Sequence, residues 1–288
     1  MDQVSTRIED GIRQRGPTLD EATFQLLRRR ITSASGIYVL GDENSRFLLE
    51  RRLRPRLRQR GLTSFAEYEA ALDEKEFDAL LDVVAIHETY FFREKRQLKV
   101  FSEQIIPELA RSNRAIKLWS AGCSTGEEAY TIAMLLAEDD LLNSRSEVVA
   151  SDLSNRVIES GKRAVYGASS FRTTEPQFKE NYFEDTGHGL WRANGALRSA
   201  VRFEQSNLVG LDAFVSQKTL AVDAGFDVIF CRNVLMYFDE DAVKKVLKTI
   251  RSLLKAGGYL LLGHAESLLP VGSGFESVQI GRELIHRK

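Results

Sequence analysis

A glycine-rich turn between an apolar strand and a helix carries the strongest chemical signal in the sequence. It reads Gly-Cys-Ser-Thr-Gly over residues 122–126, and Glu127 and Glu128 follow it directly. Such a turn can hold a ligand against the N-terminus of the helix. The pattern is not G-x-G-x-x-G and lacks Gly-Lys-Ser/Thr, so neither a dinucleotide fingerprint nor a P-loop fits it well. Two carboxylates at this position repel phosphate, and they favour a ligand that is cationic or has hydroxyl and amino donors.

The same turn matches G-x-S-x-G, the nucleophile elbow of hydrolases, with Ser124 as the nucleophile. A hydrolase of this type needs an acid and then a histidine later in the chain. Asp227 or Asp239, followed by His264, satisfies that order. We find no upstream motif of the kind that forms the oxyanion loop in the hydrolase fold. A serine hydrolase is therefore kept as a minor alternative.

A nucleoside-binding site is the third interpretation of the turn. Asp152 follows the second predicted strand, 30 residues after Gly122. An acid at that strand end can accept hydrogen bonds from both ribose hydroxyls, and its alternative role is to cap the next helix. Residues 226–233 supply the strand end across the switch point of such a fold. S-adenosylmethionine carries a sulfonium and an ammonium group, so an acidic site without phosphate contacts suits it.

Helical patterns occupy the chain up to about residue 110. Capping-box spacing at residues 18–21 and 64–67 predicts two helix starts, and residues 77–86 continue the helical pattern. A further helix is predicted over residues 44–60, where Pro55 is expected to kink or restart it. Its apolar side is expected to consist of Phe47, Leu48, Leu53 and Leu57.

From Ala115 onward, strands alternate with helices, which predicts βαβ units and a mainly parallel sheet. Asn194-Gly195 is a strong type I′ hairpin signal, and it predicts an inserted antiparallel hairpin. Gly257-Gly258 is expected to end the last helix. The predicted strands cover residues 116–119, 147–151, 226–231, 259–262, 275–280 and 283–286, and the helices cover 127–138 and 240–254.

The charges of the 288-residue chain nearly cancel, with 40 basic and 41 acidic side chains. Residues 1–60 nevertheless carry a net charge of +5 from 13 arginines and no lysine, and the remainder carries −6. Seven of these arginines lie between Arg46 and Arg60, which indicates an anionic partner. The run has little aromatic interleaving beyond Phe47 and no RNA-binding motif, so we expect no nucleic-acid partner.

The composition bounds the class of protein and its location. A hydrophobic content of 43% excludes wholesale disorder, and no apolar run is long enough to span a membrane. The polar N-terminus is not typical of a secretory signal, and the two cysteines do not suggest a disulfide framework. We therefore expect a cytoplasmic globular protein that does not insert into a membrane and acts as a monomer. Metal-ligand spacing is absent, so we expect no metal.

Four motifs together resemble the chemotaxis receptor methyltransferases (CheR-type). Residues 88–94 resemble that family's NET-x-FFRE segment, and residues 118–130 resemble W-S-A-x-x-S-T-G-E-E-P-Y. Residues 226–238 resemble F-D-x-I-F-C-R-N-V-x-x-Y-F, and residues 263–267 resemble a fourth motif. The resemblance implies a class I methyltransferase, an α/β Rossmann-like fold that uses S-adenosylmethionine. It also implies an N-terminal all-helical domain (1–85), a linker helix with cofactor contacts (86–114) and a methyltransferase domain (115–288) with an antiparallel β-subdomain inserted at about 184–205.

The resemblance also implies roles for individual residues. The reaction is methyl transfer from S-adenosylmethionine to receptor glutamates, giving glutamyl methyl esters and S-adenosylhomocysteine. Arg93 is suited to the methionine carboxylate, Asp152 to the ribose, and Tyr237 to a position near the substrate carboxylate. Catalytic roles fall on Arg93, Arg232 and Tyr237, and cofactor contacts on His87, Thr89, Arg93, Gly122, Glu128, Asp152, Asn207, Leu208, Arg232 and Asn233.

The arginine run and one inserted loop bear on substrate recognition. Family resemblance places Arg52 and Arg58 where they would meet the acidic methylation helices of a methyl-accepting receptor. The loop 184–189 is shorter than in members that grip a C-terminal receptor tether, so we predict tether-independent recognition. His87 stands where the family usually has Asn, so a cofactor-binding signalling module without methylation activity is an alternative. For Arg232, a structural ion pair is an alternative to a substrate contact.

Overall fold

A computed structural model describes residues 16–112, 114–142, 146–210, 225–266, 268 and 274–288. The chain forms two compact units, and the division between them falls between Ala85 and Ile86. Within the described residues, no helix is both long enough and apolar enough to cross a membrane.

The N-terminal unit consists of helices. They are α1 (Glu21–Ser35), α2 (Glu43–Arg60), α3 (Phe65–Ala70) and α4 (Glu74–Val84). Each begins at a side chain that accepts a hydrogen bond from the backbone N–H three residues on, which satisfies a donor of the first turn. The core lies between their apolar faces and includes Phe24, Leu27, Ile31, Leu53, Leu57, Phe65 and Leu80.

Several local predictions for this unit need correction. The capping box at Ser64 and Glu67 is confirmed, but α1 is capped by Asp20 and not by Thr18. Helix α2 runs through Pro55 without restarting. Phe47 and Leu48 are 59% and 41% exposed, because the buried side of α2 follows Leu49, Leu53 and Leu57 instead.

The second unit opens with α5 (Lys95–Val100), a π-helical turn (Phe101–Ile105) and α6 (Ile106–Arg111), which follow one another directly. Its main helices are α7 (Glu127–Glu138), α8 (Asn155–Arg163) and α11 (Glu240–Leu253). The remaining helices are short: α9 (Pro176–Tyr182) and α10 (Gly195–Ala200).

A seven-stranded sheet forms the centre of this unit, in the order β6-β2-β1-β7-β8-β10-β9. Its strands are β1 (Ile116–Ala121), β2 (Ser146–Asp152), β6 (Val201–Gln205), β7 (Phe226–Cys231), β8 (Leu254–Leu262), β9 (Glu276–Ile280) and β10 (Glu283–Arg287). The first five in spatial order pair in parallel, and β10 is antiparallel to β8 and β9. The predicted mainly parallel α/β sheet is therefore confirmed. Both faces of the sheet are covered, and β7 is buried along its whole length.

A three-stranded antiparallel sheet, in the order β3-β5-β4, is inserted between β2 and β6. Its strands are β3 (Val165–Gly167), β4 (Phe183–Gly187) and β5 (Leu190–Ala193). We call residues 165–193 the insertion. The expected range of 184–205 was wrong at both ends, because β3 belongs to the small sheet and β6 belongs to the main sheet.

The turn predicted at Asn194-Gly195 is also absent from the described structure. Asn194 caps α10, since its Oδ1 accepts the N–H of Leu197 at 3.0 Å. The hairpin joins β4 to β5, and it turns through Gly187, His188 and Gly189, which all have positive φ. Gly257 and Gly258 do not end α11 but lie inside β8.

Candidate functional site

The candidate site lies at the carboxyl ends of β6, β2, β1, β7 and β8. From β1 the chain continues to β2 on one side, and from β7 it continues to β8 on the other side. The strand order therefore reverses between β1 and β7, and this switch point is where open α/β sheets bind ligands. The glycine-rich turn follows β1, Asp152 ends β2, Asn207 follows β6 and Arg232 follows β7. The strand ends thus bring together residues that are far apart in the sequence.

The glycine-rich turn is fixed by backbone hydrogen bonds to the end of β2. The N–H groups of Gly122 and Cys123 both donate to the carbonyl of Ser151, at 2.8 and 2.9 Å. The N–H of Ser124 donates to Oδ2 of Asp152 at 2.9 Å. Oδ1 of the same carboxylate accepts the N–H of Ser154 at 3.0 Å. Asp152 is therefore held at the strand end in one orientation, and the helix cap, the alternative role of Asp152, is Ser154.

Gly122 tolerates no side chain. Its φ is 83°, a left-handed conformation that favours glycine, and a Cβ there would overlap Cγ2 of Val234. The turn after β1 and the loop after β7 are therefore in van der Waals contact across the switch point. The predicted importance of Gly122 has this steric basis, and a direct cofactor contact stays a prediction.

A buried ion network joins the turn to the loop after β7. The Arg232 guanidinium donates to Oε2 of Glu128 at 3.1 Å, to Oε2 of Glu94 at 3.0 Å and to the carbonyl of Arg93 at 2.6 Å. The side chain of Arg232 is 2% exposed. Glu128 also accepts the hydroxyl of Ser120 at 2.6 Å. One guanidinium therefore bridges two carboxylates, and the arrangement favours the structural role of Arg232 over a contact with the substrate.

The two carboxylates respond differently to this setting. Burial raises the pKa of Glu128, and Arg232 only partly opposes that rise. Burial would also raise the pKa of Glu94, but Arg232 and Asn233 outweigh it and hold the pKa below its ordinary value. A second positive charge near Glu128 would favour its ionised form. The network is therefore suited to a cationic ligand.

The motif segment 87–94 is anchored by the insertion. The N–H of Phe91 donates to the carbonyl of Ser170 at 2.9 Å, and Oγ1 of Thr173 donates to the carbonyl of Phe91 at 2.8 Å. The ring of Phe91 is fully buried against those of Tyr166, Phe171 and Phe183. The insertion thus positions the segment that carries the predicted cofactor contacts.

The three residues of this segment that are predicted to contact the cofactor, His87, Thr89 and Arg93, are half-buried. Nη1 of Arg93 donates to the carbonyl of Glu88 at 2.9 Å, and Thr89 lies between these two residues in the chain. The carbonyl of His87 accepts the hydroxyl of Ser124 at 3.1 Å, which ties the segment to the glycine-rich turn. The structure brings His87, Thr89 and Arg93 into one segment beside the turn, and their contacts with a cofactor stay predictions.

The loop after β7 carries Asn233 and Tyr237. Asn233 has a φ of 59°, and its Nδ2 donates to Oε1 of Glu94 at 3.1 Å. Tyr237 ends a 3₁₀ turn and is half-buried, with its N–H bonded to the carbonyl of Val234 at 3.1 Å. Its position near a substrate carboxylate stays a prediction.

Asn207 and Leu208 follow β6 at the far side of β2. The preceding N–H, of Ser206, donates to the carbonyl of Asp152 at 2.8 Å, so this segment adjoins the predicted ribose position. Oδ1 of Asn207 accepts the N–H of Val209 at 3.0 Å. Leu208 is buried, which suits a residue expected beside an adenine ring.

The residues of the hydrolase alternative do not assemble. The hydroxyl of Ser124 donates to a carbonyl and not to an imidazole. Nε2 of His264 lies 2.9 Å from Oε2 of Glu283. Asp227 is engaged by Lys255 and Arg114, and Asp239 caps α11. The serine hydrolase hypothesis was wrong, because its acid, histidine and serine each serve a different structural purpose.

The two predicted substrate-binding arginines lie on α2 of the N-terminal unit. Arg52 is exposed, and its Nη1 donates to the carbonyl of Val84 at 2.9 Å, at the C-terminal end of α4. Arg58 is also exposed, and it forms no ion pair within the described residues. Their contact with a substrate stays a prediction.

Sequence reasoning gave no role to Glu94 or Glu266, and it assigned Glu127 together with Glu128 to the binding of a cationic ligand. Glu94 and Glu266 both hold the loop after β7, and Glu127 accepts the hydroxyls of Thr125 at 2.6 Å and Ser170 at 2.9 Å. Glu127 therefore faces the insertion, and Glu128 is the member of the pair that joins the Arg232 network. All three glutamates stand inside the recognised motifs 88–94, 118–130 and 263–267, which was the available signal.

Comparison with known proteins agrees with this architecture. Residues 22–85 match the family described as "CheR methyltransferase, all-alpha domain", and residues 87–283 match "CheR methyltransferase, SAM binding domain". The chain is 32% identical over 277 residues to chemotaxis protein methyltransferase 1 of Pseudomonas aeruginosa, covering 92% of this chain and 97% of that protein. It is 33% identical over 280 residues to a chemotaxis protein methyltransferase of Vibrio parahaemolyticus, covering 94% and 98%. It is 35% identical over 257 residues to that of Salmonella typhimurium, covering 86% and 85%. The chain therefore belongs to the CheR methyltransferases, with a class I fold and S-adenosylmethionine as its cofactor.

Proposed function

We propose that the protein methylates glutamate side chains of a chemoreceptor-type protein, forming glutamyl 5-methyl esters in chemotaxis signalling. The observation that carries this proposal is the ion network at the switch point, where one buried Arg232 is shared by Glu94 and Glu128. Two carboxylates share this one guanidinium, so the network has an excess of negative charge. The residues present therefore fit a methyl donor that carries positive charge.

The proposed contacts follow the chemistry of each side chain. Bound S-adenosylmethionine supplies an electrophilic methyl group on a positively charged sulfur. Asp152 would hold the ribose hydroxyls, Arg93 the carboxylate of the methionine part, and Glu128 a polar or cationic group. Gly122, His87, Thr89, Asn207 and Leu208 would complete the cofactor contacts.

A glutamate substrate needs no general base from the protein. A carboxylate with a pKa of about 4.3 is already ionised at neutral pH, so it can act directly as the nucleophile. Charge is neutralised as the methyl group moves, so a dry site and in-line alignment contribute most. Tyr237 would align the substrate carboxylate and Asn233 would contact the cofactor, and the loop after β7 holds both residues.

Radiolabelled methyl transfer tests this proposal directly. The purified protein is incubated with methyl-labelled S-adenosylmethionine and membranes that contain candidate receptors. We expect label on the receptor that is released as methanol by mild base, since esters are base-labile. Base-stable label would contradict the glutamate ester, and cofactor binding without any label would favour the non-methylating signalling module.

We further propose that α2 contributes to receptor recognition through Arg52 and Arg58. Arg58 is the sharper test, because Arg52 also caps α4 and its loss would disturb the helical unit. Arg58→Glu is expected to reduce receptor methylation, most strongly at low salt, while S-adenosylhomocysteine affinity stays unchanged. Arg29→Glu, at an exposed position on α1, is the matched control. Equal effects of the two substitutions would contradict a specific role for α2.

Three further expectations belong to this proposal. The short β4–β5 turn supports recognition without a receptor tether, and tight binding of a receptor C-terminal peptide would refute it. Cys123 and Cys231 are unpaired and buried thiols, as a reducing cytoplasm permits. A monomer is expected, and sedimentation equilibrium of the purified protein tests it.

A further inference from the structure

Glu266 accepts hydrogen bonds from four backbone N–H groups at the carboxyl ends of β7 and β8. Its Oε2 accepts those of Asn233 and Gly263, both at 2.7 Å. Its Oε1 accepts those of Val234 at 2.8 Å and Met236 at 3.3 Å. Each carboxylate oxygen thus binds two donors, and three of the four donors belong to the loop after β7.

This loop has a backbone shape that suits an anion. Asn233 is left-handed, with a φ of 59°, and the successive N–H groups of Asn233 and Val234 converge on one carboxylate, the first on Oε2 and the second on Oε1 of Glu266. Converging N–H groups of this kind form a concave anion site, called a nest. Without Glu266, these N–H donors would lose their hydrogen-bond acceptor, and an unsatisfied backbone donor costs free energy.

The loop and the turn that carries Glu266 are in close contact. A Cβ at Gly263 would lie 2.8 Å from the N atom of Asn233 and 2.9 Å from Oε2 of Glu266. The N–H of Glu266 also donates to the carbonyl of Gly263 at 2.9 Å, which closes the turn. The carboxylate is therefore held tightly between the backbone of the loop and the backbone of the turn.

We propose that Glu266 is a positioning residue for methyl transfer, which acts by holding residues 233–237 in their observed conformation. Through this loop, it fixes Asn233, which is proposed to contact the cofactor, and Tyr237, which is proposed to align the substrate. The inference rests on the proposed function and adds to it a requirement for a negative charge that touches neither cofactor nor substrate.

Glu266→Ala with acetate rescue tests the inference. Acetate reproduces the atoms that the substitution deletes, so it can refill the nest. We expect kcat to fall about 100-fold, as for a displacement of about 1 Å at a reacting group. Acetate should restore much of kcat, whereas chloride at equal ionic strength should not. Glu276→Ala, at an exposed position on β9, is the matched control and should respond to neither anion.

Glu266→Gln keeps the inference testable if the alanine variant does not fold. The amide preserves size but turns one acceptor into a donor that faces two N–H groups, so kcat should fall and acetate should not help. Amide hydrogen exchange at Asn233, Val234 and Met236 should rise in both variants, and acetate should reverse it only in the alanine variant. This exchange readout is independent of methyl transfer, so it separates the inference from the proposed function. Wild-type kcat and exchange in either variant would overturn the inference, as would a loss of kcat in the alanine variant that acetate leaves unchanged.

Discussion

Arg232→Met should lower the stability of the second unit, and this effect should exceed any direct effect on methyl transfer in the molecules that stay folded. The substitution leaves the Glu94 and Glu128 carboxylates facing each other without the guanidinium that they share. It also removes the donor to the carbonyl of Arg93. Removing one partner of a buried ion pair typically costs about 3–5 kcal/mol, because the remaining charge stays buried.

That cost can be measured by thermal and urea unfolding of the full chain. For a unit of this size, about 1 kcal/mol corresponds to roughly 2–4 °C, so Tm should fall by roughly 6–20 °C. Arg96→Met, at an exposed position on α5, is the matched control and should leave Tm nearly unchanged. Arg232→Lys should be intermediate, because an ammonium keeps the charge but cannot make the three fork-like bonds.

The same measurements distinguish a structural role of Arg232 from a direct contact with the substrate. If Arg232 mainly bound the substrate, the methionine variant would keep its Tm and lose only kcat/KM. A stable variant with unchanged S-adenosylhomocysteine affinity would refute the reasoning from the ion network.

Two further substitutions probe the glycine-rich turn and its neighbour. Gly122→Ala should cost about 2–4 kcal/mol, since it combines a left-handed φ of 83° with a Cβ overlapping Val234. Urea unfolding checks it, with Gly195→Ala as a control, because nothing lies within 4 Å of a Cβ there. Burial raises the pKa of Glu127 in the folded state above its reference of 4.5, so stability is lost as pH rises from 4.5 through that raised pKa. Glu127→Gln can still bond Ser170, so its free energy of unfolding relative to that of the wild type should be greater at pH 7.5 than at pH 5. Urea unfolding at the two pH values measures this difference. The same difference at both pH values would contradict the prediction.

Strong local signals predicted the positions of the main elements. The helix at Glu127–Glu138 and the strand at Phe226–Cys231 were predicted to the residue. Both have unambiguous patterns, because the strand is apolar almost throughout and the helix begins directly after the glycine-rich turn. Asp152 and Arg232 were also placed at strand ends, since the carboxyl ends of parallel strands can be read from the pattern.

The errors arose where a local signal has two uses. Asn-Gly suits a tight hairpin, but Asn is also a favoured helix cap, and the chain at Asn194 is already held by the carbonyl of Tyr182. Gly257-Gly258 resembles a helix end, yet Gly257 bonds the carbonyl of Lys288, and the N–H of Lys288 bonds the carbonyl of Gly258. These partners come from the far end of the chain, so a local pattern does not contain them.

The internal chemistry of the site depends on similarly distant contacts. Arg232 pairs with residues 138 and 104 positions away, and Glu266 bonds amides about 30 positions away. Sequence motifs identified these residue types without showing which of them bind each other. Left-handed backbone at Glu94, Ser124 and Asn233 costs about 1–3 kcal/mol at each position, and the network offsets that strain.

The arginine run illustrates how the structure sharpens a statement about charge. Arg46, Arg54, Arg56 and Arg60 are paired with glutamates inside the helical unit. Glu76 is buried and takes two of these guanidiniums together with the hydroxyl of Tyr68. Four of the seven arginines of the run therefore serve the helical unit, and within the described residues the exposed unpaired positive charge of α2 is concentrated at Arg51, Arg52 and Arg58. If an acidic receptor binds α2, its specificity must come from this small group, so reversing Arg58 should matter more than reversing a paired arginine.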